Sequence, residues 1–506
     1  MFNKELKKMP YTPTILVLEN FATFEHNAYN PKTTFKYWEK GQDLPKEGLP
    51  KRPEGGINRS SIDHGALVLN RLVGNQEILY SESHSGIFTL PDNLQKDDEI
   101  SSQSQKAIGT APEGTNIIYA YITNSTETKD SHTTLFSIMK DHLESKKSRT
   151  NFLKHIHSKT ENGEIKLDAI SMSDSFEELN NPELMEIEML DKAIGLITMP
   201  ARILKQKDID QKRKLKAAEK LEDNEELKNK LFSNENETIY NELRNAIRSK
   251  SKDLRIAGQP SHFREILKDK NVQISCQNYI NYMQDHINNL YHDKKIDKEE
   301  FQYMGQLLTE GEKAIEYNKE KDEFPYFQRP EFKPLLNKGK EIYSEYSEIK
   351  AQFNKKNIPV FTVDMAIDYD IEVHGLNLDG TVNKENEDSR RPKKLTAKKT
   401  FLLPNQQICS PCSYKTNNEM YNEEKRGGIS SLVPSMTGIF AQARRINPNI
   451  NIKTFIQTLK SSCSSLDDND KEKIYAGYKV NKDALAKLEG NVQSNLSQQH
   501  RNQYSR

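Results

Sequence analysis

The chain has 506 residues, carries 74 Lys plus Arg against 74 Asp plus Glu, and is 34% apolar. Balanced charge excludes a global field steering it to nucleic acid or an anionic membrane. No run of about 18 apolar residues exists to span a bilayer as a helix, and four cysteines (Cys276, Cys409, Cys412 and Cys463) are too few for a disulfide scaffold.

The N-terminus, MFNKELKKMPYTPTILVLEN, has a basic start but a four-residue apolar run, Ile15 to Leu18. A secretory leader needs a longer run and a small-residue cleavage site. The expectation is a protein that stays in the cytoplasm or leaves by a route needing no such leader. About ten residues precede the first strand, and the expectation is that no propeptide assisting folding lies at that end.

Thr14–Leu18 (TILVL), Asn116–Thr123 (NIIYAYIT) and Leu167–Met172 (LDAISM) read as buried strands by length and apolar continuity. Between the last two, Thr133–Ile156 has helical spacing, with Leu135, Ile138, Met139 and Leu143 on one face. Strand, helix, strand in that order predicts a βαβ unit and a parallel sheet.

From about 177 to 345 the texture becomes charged and helix-forming, as in LKQKDIDQKRKLKAAEKLEDNEELKNKLF. This is a predicted helical insertion with its charges on a solvated face. Strand signals return at Asn357–Val363 and Lys399–Leu403. Two helix signals follow, Ser431–Ile446 and NPNINIKTFIQTLKSS, and the last 35 or so residues are polar and expected to be loose.

The chemistry-bearing segment is RGGISSLVPSMTGIFAQARRINP, Arg426–Pro448. Two glycines lead into Ser430, and an apolar helix follows directly. A serine there meets unpaired backbone N–H groups and the positive end of the helix dipole, which stabilise a developing oxyanion. Serine is also a common helix cap. Pro434 falls within the first turn or so, where a missing N–H costs little. Asp63–Gly74, DHGALVLNRLVG, sets His64 beside a glycine at the opening of an apolar helix.

Taken together these segments resemble the subtilisin-like serine proteases, the subtilases. GISSLVPSMTG (428–438) is similar to the family's nucleophile motif, Gly-Thr-Ser-x-Ala-Ala-Pro-x-Val-Ala-Gly. DHGALVLNRLVG is similar to its histidine motif, GTAPEGTNIIYAYIT to its Gly-Val-Ala-Pro turn and strand, and DAISMS to the strand lining its substrate cleft. LLPNQQICS (402–410) resembles the segment upstream of the nucleophile, and ARRINPNINIKTFIQTLKSS the helix pair downstream. The motifs appear in the family's order and cover residues 11–176 and 346–465.

The resemblance implies an α/β, subtilisin-like three-layer fold with a mostly parallel central sheet and helices on both faces. Its catalytic part would be split as 11–176 and 346–465, with a helical insertion at 177–345 and a polar extension at 466–506. It implies a serine endopeptidase acting on protein or peptide substrates without cofactor or metal. Ser430 would be the nucleophile, His64 the general base, and Ser171, Met172 and Ser173 the substrate-binding strand. A serine hydroxyl needs a base within hydrogen-bond reach, so these distant residues must meet in space.

Two positions depart from the pattern. The triad acid belongs at the end of the first strand, where this chain has Glu19 rather than Asp. Ser-His-Glu triads exist, and the extra methylene displaces the carboxylate by roughly 1.5 Å. The family's oxyanion-hole asparagine is replaced by Ala366, with Asp364 and Asp368 nearby. Loss of that one donor costs roughly 10²–10³ in rate, a magnitude measured in subtilisin itself. These departures favour the alternative reading, a weak or inactive subtilase-fold protein that binds other proteins. The insertion, lying beside the expected cleft, is a candidate lid, inhibitor or partner-docking module, or else a tolerated loop decoration that rests against the domain.

Three lesser signals carry no chemistry. Cys409-Ser-Pro-Cys412 has no second pair at zinc-finger spacing. HDKKIDKEEF (292–301) lacks the ligand ladder and glycine of a calcium loop. RRPKKLTAKK (390–399) reads as a solvated basic run.

Overall fold

The computed structural model describes the backbone of residues 11–19, 32–39, 41–48, 65, 68–69, 71–81, 86–88, 105–108, 110–121, 134–217, 263–365, 369, 371–376, 399–404, 432–465, 478–479 and 486–494. A six-stranded sheet forms its centre, in the order β3-β2-β7-β1-β8-β9. Its strands are β1 (Thr14–Glu19), β2 (Thr34–Glu39), β3 (Lys46–Glu47), β7 (Asn116–Tyr121), β8 (Ala169–Ser171) and β9 (Val360–Phe361). Five run parallel, and the short β3 pairs antiparallel on the β2 edge. The molecule is thus mixed α/β with a mostly parallel sheet.

A strand covered on both faces needs apolar residues at successive positions, and β1 has them from Ile15 to Leu18. Its residues divide by alternation. Leu16 and Leu18 join Ile118, Ala120 and Ile170 in one core, together with helix α2 (Leu135–Glu161) and helix α7 (Phe332–Lys355). Ile15 and Val17 join Ile117 and Tyr119 in a second core on the other face. That face is covered by α1, whose described residues lie between 65 and 73, and by α8 (Leu432–Ile446), through Val68, Leu69, Leu72, Val73 and Ala441. A third cluster joins Ala169 and Phe361 to α8 and α9 (Ile452–Ser462). Helices therefore cover both faces.

Helix α8 is buried nearly all round, from Leu432 to Ala441, as expected of a helix inside a core rather than on a surface. Pro434 is its third residue, where a proline needs no donor.

The described residues of the middle of the chain are helical as predicted: α3 (Pro182–Ala217), α4 (Phe263–Lys268), α5 (Lys270–His292) and α6 (Lys298–Ile315), with residues 218–262 outside the described residues. These helices share one continuous core with the α2 face of the sheet, since Leu190, Ile197, Ile280 and Leu308 belong to the same cluster as Leu16 and Leu143. Glu310 of α6 accepts from Leu135 N at the start of α2, at 2.9 Å. At Gly311 an added Cβ would lie 2.6 Å from Ile197 Cγ1, so α6 rests closely on α3. The expected boundary at 345 falls inside α7. That helix packs beneath the sheet through Phe332, Ile342, Tyr346 and Phe353 and leads straight into β9.

Two smaller sheets complete the described residues. β4 (Asn75–Ser81), β5 (Gly86–Phe88) and β6 (Gln105–Ile108) form an antiparallel one. β10 (Ile371–Leu376), β11 (Lys399–Pro404), β12 (Ser464–Ser465) and β13 (Tyr478–Lys479) form the other, so the predicted strand at Lys399–Leu403 lies outside the central sheet. The C-terminal region differs from expectation: helical residues 486–494 bury Leu488 and Val492 against α9 and its neighbours.

Candidate active site

In an open parallel sheet, ligands bind outside the carboxyl ends of the strands, where successive connections leave in opposite directions. Here the chain leaves β1 for β2 on one side, whereas α2 carries it from β7 across to β8 on the other. That point lies between the carboxyl ends of β1 and β7, where Glu19 is in register with Tyr121. Glu19 is the last residue of β1, is 4% exposed, and shares the parity of Ile15 and Val17. It therefore belongs to the face covered by α1 and α8.

Those two helices are fixed to each other by the turn at Thr110–Ala111. Thr110 N donates to Arg71 O (3.1 Å) and Ala111 N to Leu72 O (2.8 Å), both at the end of α1. From α8, Gln442 Nε2 donates to Thr110 O at 2.6 Å. Gly438 brings α8 against the same turn, and a Cβ there would stand 2.2 Å from Thr110 Oγ1 and 2.6 Å from Ala111 N. The histidine-like segment, the Gly-Thr-Ala-Pro turn and the nucleophile-like segment thus meet on the Glu19 face.

His64, Ser430 and Ala366 lie outside the described residues. Their chain neighbours do not: Gly65, next to His64, is buried and helical, and Leu432, two positions after Ser430, begins α8. The Cys409–Cys412 pair also lies outside, as does RRPKKLTAKK except for Lys399.

The predicted substrate strand is split by alternation. Ser171 pairs with Val17 on the Glu19 face, is 1% exposed, and its Oγ makes no hydrogen bond among the described residues. Met172 turns into the opposite core, while its N–H donates to Phe361 O at 2.9 Å. Ser173 is half-buried.

Beyond Ser173 lies a feature that sequence reasoning missed. Lys146 and Arg149 occupy the inner side of α2, in line with Leu143, Thr150 and Leu153. Lys146 Nζ lies 2.7 Å from Asp174 and 2.8 Å from Glu178, and Arg149 Nη1 donates to Asp174 Oδ2. Burial alone would push the Asp174 carboxyl up, but the two cations outweigh it and hold it well below the usual carboxylate range. Glu188 of α3 behaves alike: burial opposes, Lys192 prevails, and its carboxyl is lowered to about 2. The Arg149 guanidinium, penalised by burial, is raised by Asp174 and then by Glu19. The one sequence trace of this cluster, KKSR within the apolar stripe of α2, reads as a solvated cluster until Asp174 and Glu178 are placed beside it.

At the end of β9, Asp364 accepts from Ser175 Oγ (2.7 Å) and Phe176 N (2.7 Å), so its carboxylate ties down the loop after β8. In the turn once compared with a calcium loop, Asp297 and Glu300 cap α6 reciprocally. Among the described residues no group of three or more His, Cys, Asp or Glu could hold a metal ion, and no helix is long and apolar enough to cross a membrane. Comparison with family models, with curated proteins and with solved structures finds no match for this chain.

Proposed function

We propose that the protein is a serine endopeptidase of subtilisin-like fold. Ser430 attacks a peptide carbonyl, His64 takes its proton and returns it to the leaving amine, and Glu19 orients the imidazole. The acyl-enzyme so formed is hydrolysed by water activated through the same imidazole. One observation carries the reading. A buried carboxylate ends the central strand at the switch point of a parallel sheet, on the face where α1 and α8 are joined by the Thr110–Ala111 turn. Those two helices directly follow the His64 and Ser430 segments, which resemble the family's motifs.

The test is labelling by a fluorophosphonate probe, which reacts only with an activated serine. The expected outcome is labelling of the folded protein that disappears in Ser430→Ala, and a peptide-library digest with the same dependence. Absence of labelling between pH 6 and 9, with the fold intact, would overturn it. A second reading, a peptide-binding protein without turnover, is favoured by Asp364: its carboxylate is engaged with the loop after β8 and offers no amide donor to an oxyanion. Retained peptide binding without cleavage would select that reading.

A further inference from the structure

A buried polar atom without a partner is costly, and each one in a native structure calls for a reason. Ser171 is 1% exposed, and its Oγ makes no hydrogen bond among the described residues. So deep a hydroxyl is closed to substrate, and the cleft-lining role implied by the family resemblance does not account for it. Its place is closely defined. Ser171 is the last residue of β8, in register with Val17 of β1 on one side and Phe361 of β9 on the other. Ala169, two positions earlier on the same face, and Phe361 pack with Leu432, Val433 and Met436 from the first turns of α8. The hydroxyl therefore lies under the start of the helix that follows Ser430.

Glu19 stands on the same face, two residues beyond Val17 on the neighbouring strand, and is 4% exposed. Adjacent strands lie about 4.8 Å apart and two residues advance about 6.6 Å, so the two Cβ atoms are separated by roughly 7–8 Å. A serine Oγ reaches about 1.4 Å from its Cβ, and an O–H donor to a carboxylate spans about 2.7 Å. The remainder, roughly 3–4 Å, is what a glutamate spans from Cβ to its carboxylate oxygens, and an aspartate falls short by about one bond, 1.5 Å. The two sides of Glu19 are also distinct. Helix α1, which follows the His64 segment, covers Val17, Ile117 and Tyr119 on β1 and β7, whereas Ser171 lies on the β8 side.

We infer that Ser171 is a positioning residue for Glu19: its hydroxyl donates to the carboxylate oxygen on the β8 side while the other oxygen receives the ring N–H of His64. This rests on the endopeptidase reading. A carboxylate accepts both donors at once, and a partner behind a functional carboxylate fixes its direction. The hydroxyl, unengaged in the resting structure, is met when Glu19 rotates about its own side-chain bonds to grip the imidazolium. The serine at 171 and the glutamate in place of the family's aspartate are then one device. The longer acid gains a second anchor, which removes the freedom that its extra methylene brings.

The experiment follows the full-length chain with two readouts, the Ser430-dependent rate of fluorophosphonate labelling and urea unfolding. Ser171→Ala is expected to be labelled about tenfold more slowly, the worth of a hydrogen bond to a charged group, and Ser171→Thr, which keeps the hydroxyl, at close to the parent rate. In a Glu19→Asp background the same Ser171→Ala change should alter the rate by less than about twofold, because the shorter acid does not reach. The unfolding constant of Ser171→Ala should stay level or fall, since the change removes a buried polar group that has no partner in the resting structure. A Ser171→Ala protein labelled at the parent rate, a tenfold loss that persists with Asp at 19, or a slower rate accompanied by easier unfolding overturns the inference, while Ser430-dependent labelling of the parent leaves the endopeptidase standing. A folded parent that is never labelled removes both. If Ser171→Thr fails to fold, the Glu19→Asp pair decides.

Discussion

Gly438→Ala inverts an ordinary rule and so probes the frame that brings the three segments together. Replacing glycine by alanine inside a helix normally stabilises by about 1 kcal/mol. At Gly438 the new Cβ would lie 2.2 Å from Thr110 Oγ1, 2.6 Å from Ala111 N and 2.7 Å from the Thr110 carbonyl carbon. Apolar contacts settle near 3.5–4 Å, leaving a shortfall of about 1 Å. The hydroxyl could rotate away, but Ala111 N is backbone held to Leu72 O at 2.8 Å. Helix α8 or the turn must therefore move bodily. Overpacking of this kind costs up to about 3 kcal/mol, so after the propensity gain the net loss is about 2 kcal/mol. Gly195, in α3 with nothing within 4 Å of its added Cβ, is the control, and Gly195→Ala should gain the usual increment. Urea midpoints read both. Displacing the start of α8 by about 1 Å should also slow fluorophosphonate labelling about 10²-fold. A Gly438→Ala protein that is more stable than the parent and labelled at the same rate would show that the close approach is not there.

Asp174→Asn leaves Lys146 and Arg149 buried beside a neutral amide, and should cost about 3–5 kcal/mol in urea unfolding. In the parent, Asp174, Glu178 and Glu188 all have carboxyls held below their usual values. Such groups contribute stability that is present above the unfolded pKa of about 4 and is lost as pH falls through the folded value. The midpoint should stay level above about pH 5 and decline toward pH 2, less steeply in Asp174→Asn; a level midpoint down to pH 2 would contradict the pairing. At the opposite end of the sheet, Asp168 accepts from Tyr11 Oη and Thr14 N at 2.8 Å each, with Arg444 Nη1 at 4.0 Å. Asp168→Ala should cost about 2–4 kcal/mol while the labelling rate of the folded protein stays at the parent value.

Strands β1 and β7 were legible because a strand covered on both faces must be apolar at successive positions, and TILVL and NIIYAY are. Strand β2, TFKYWE, carries no such run. Its Lys36 and Glu39 interrupt it, while Phe35 packs against the Ile15 core and Trp38 onto Phe152, with ring centroids 5.2 Å apart. The limit of the insertion was misplaced for a related reason: α7 carries the same helical stripe as the bundle helices, and periodicity cannot say which layer a helix will join. The place of Glu19 at the buried end of β1 was legible from the strand run. Arg149 was not, since a lysine-arginine cluster on a helix reads as a solvated face until the partner carboxylates after β8 are seen.

Strands β8 and β9 are neighbours, with Ile170 opposite Val360, yet the whole helical bundle lies between them in the chain. Closing so long an excursion costs entropy that grows only logarithmically with its length, but pairings of such separation slow the search for the native arrangement. The bundle shortens the search, since its helices form from nearby residues and pack as one mass that returns the chain, through α7, to the place where β9 must dock. On this ordering the last strand of the central sheet is laid down late, and the structure that guides it is the segment that first looked like an interruption.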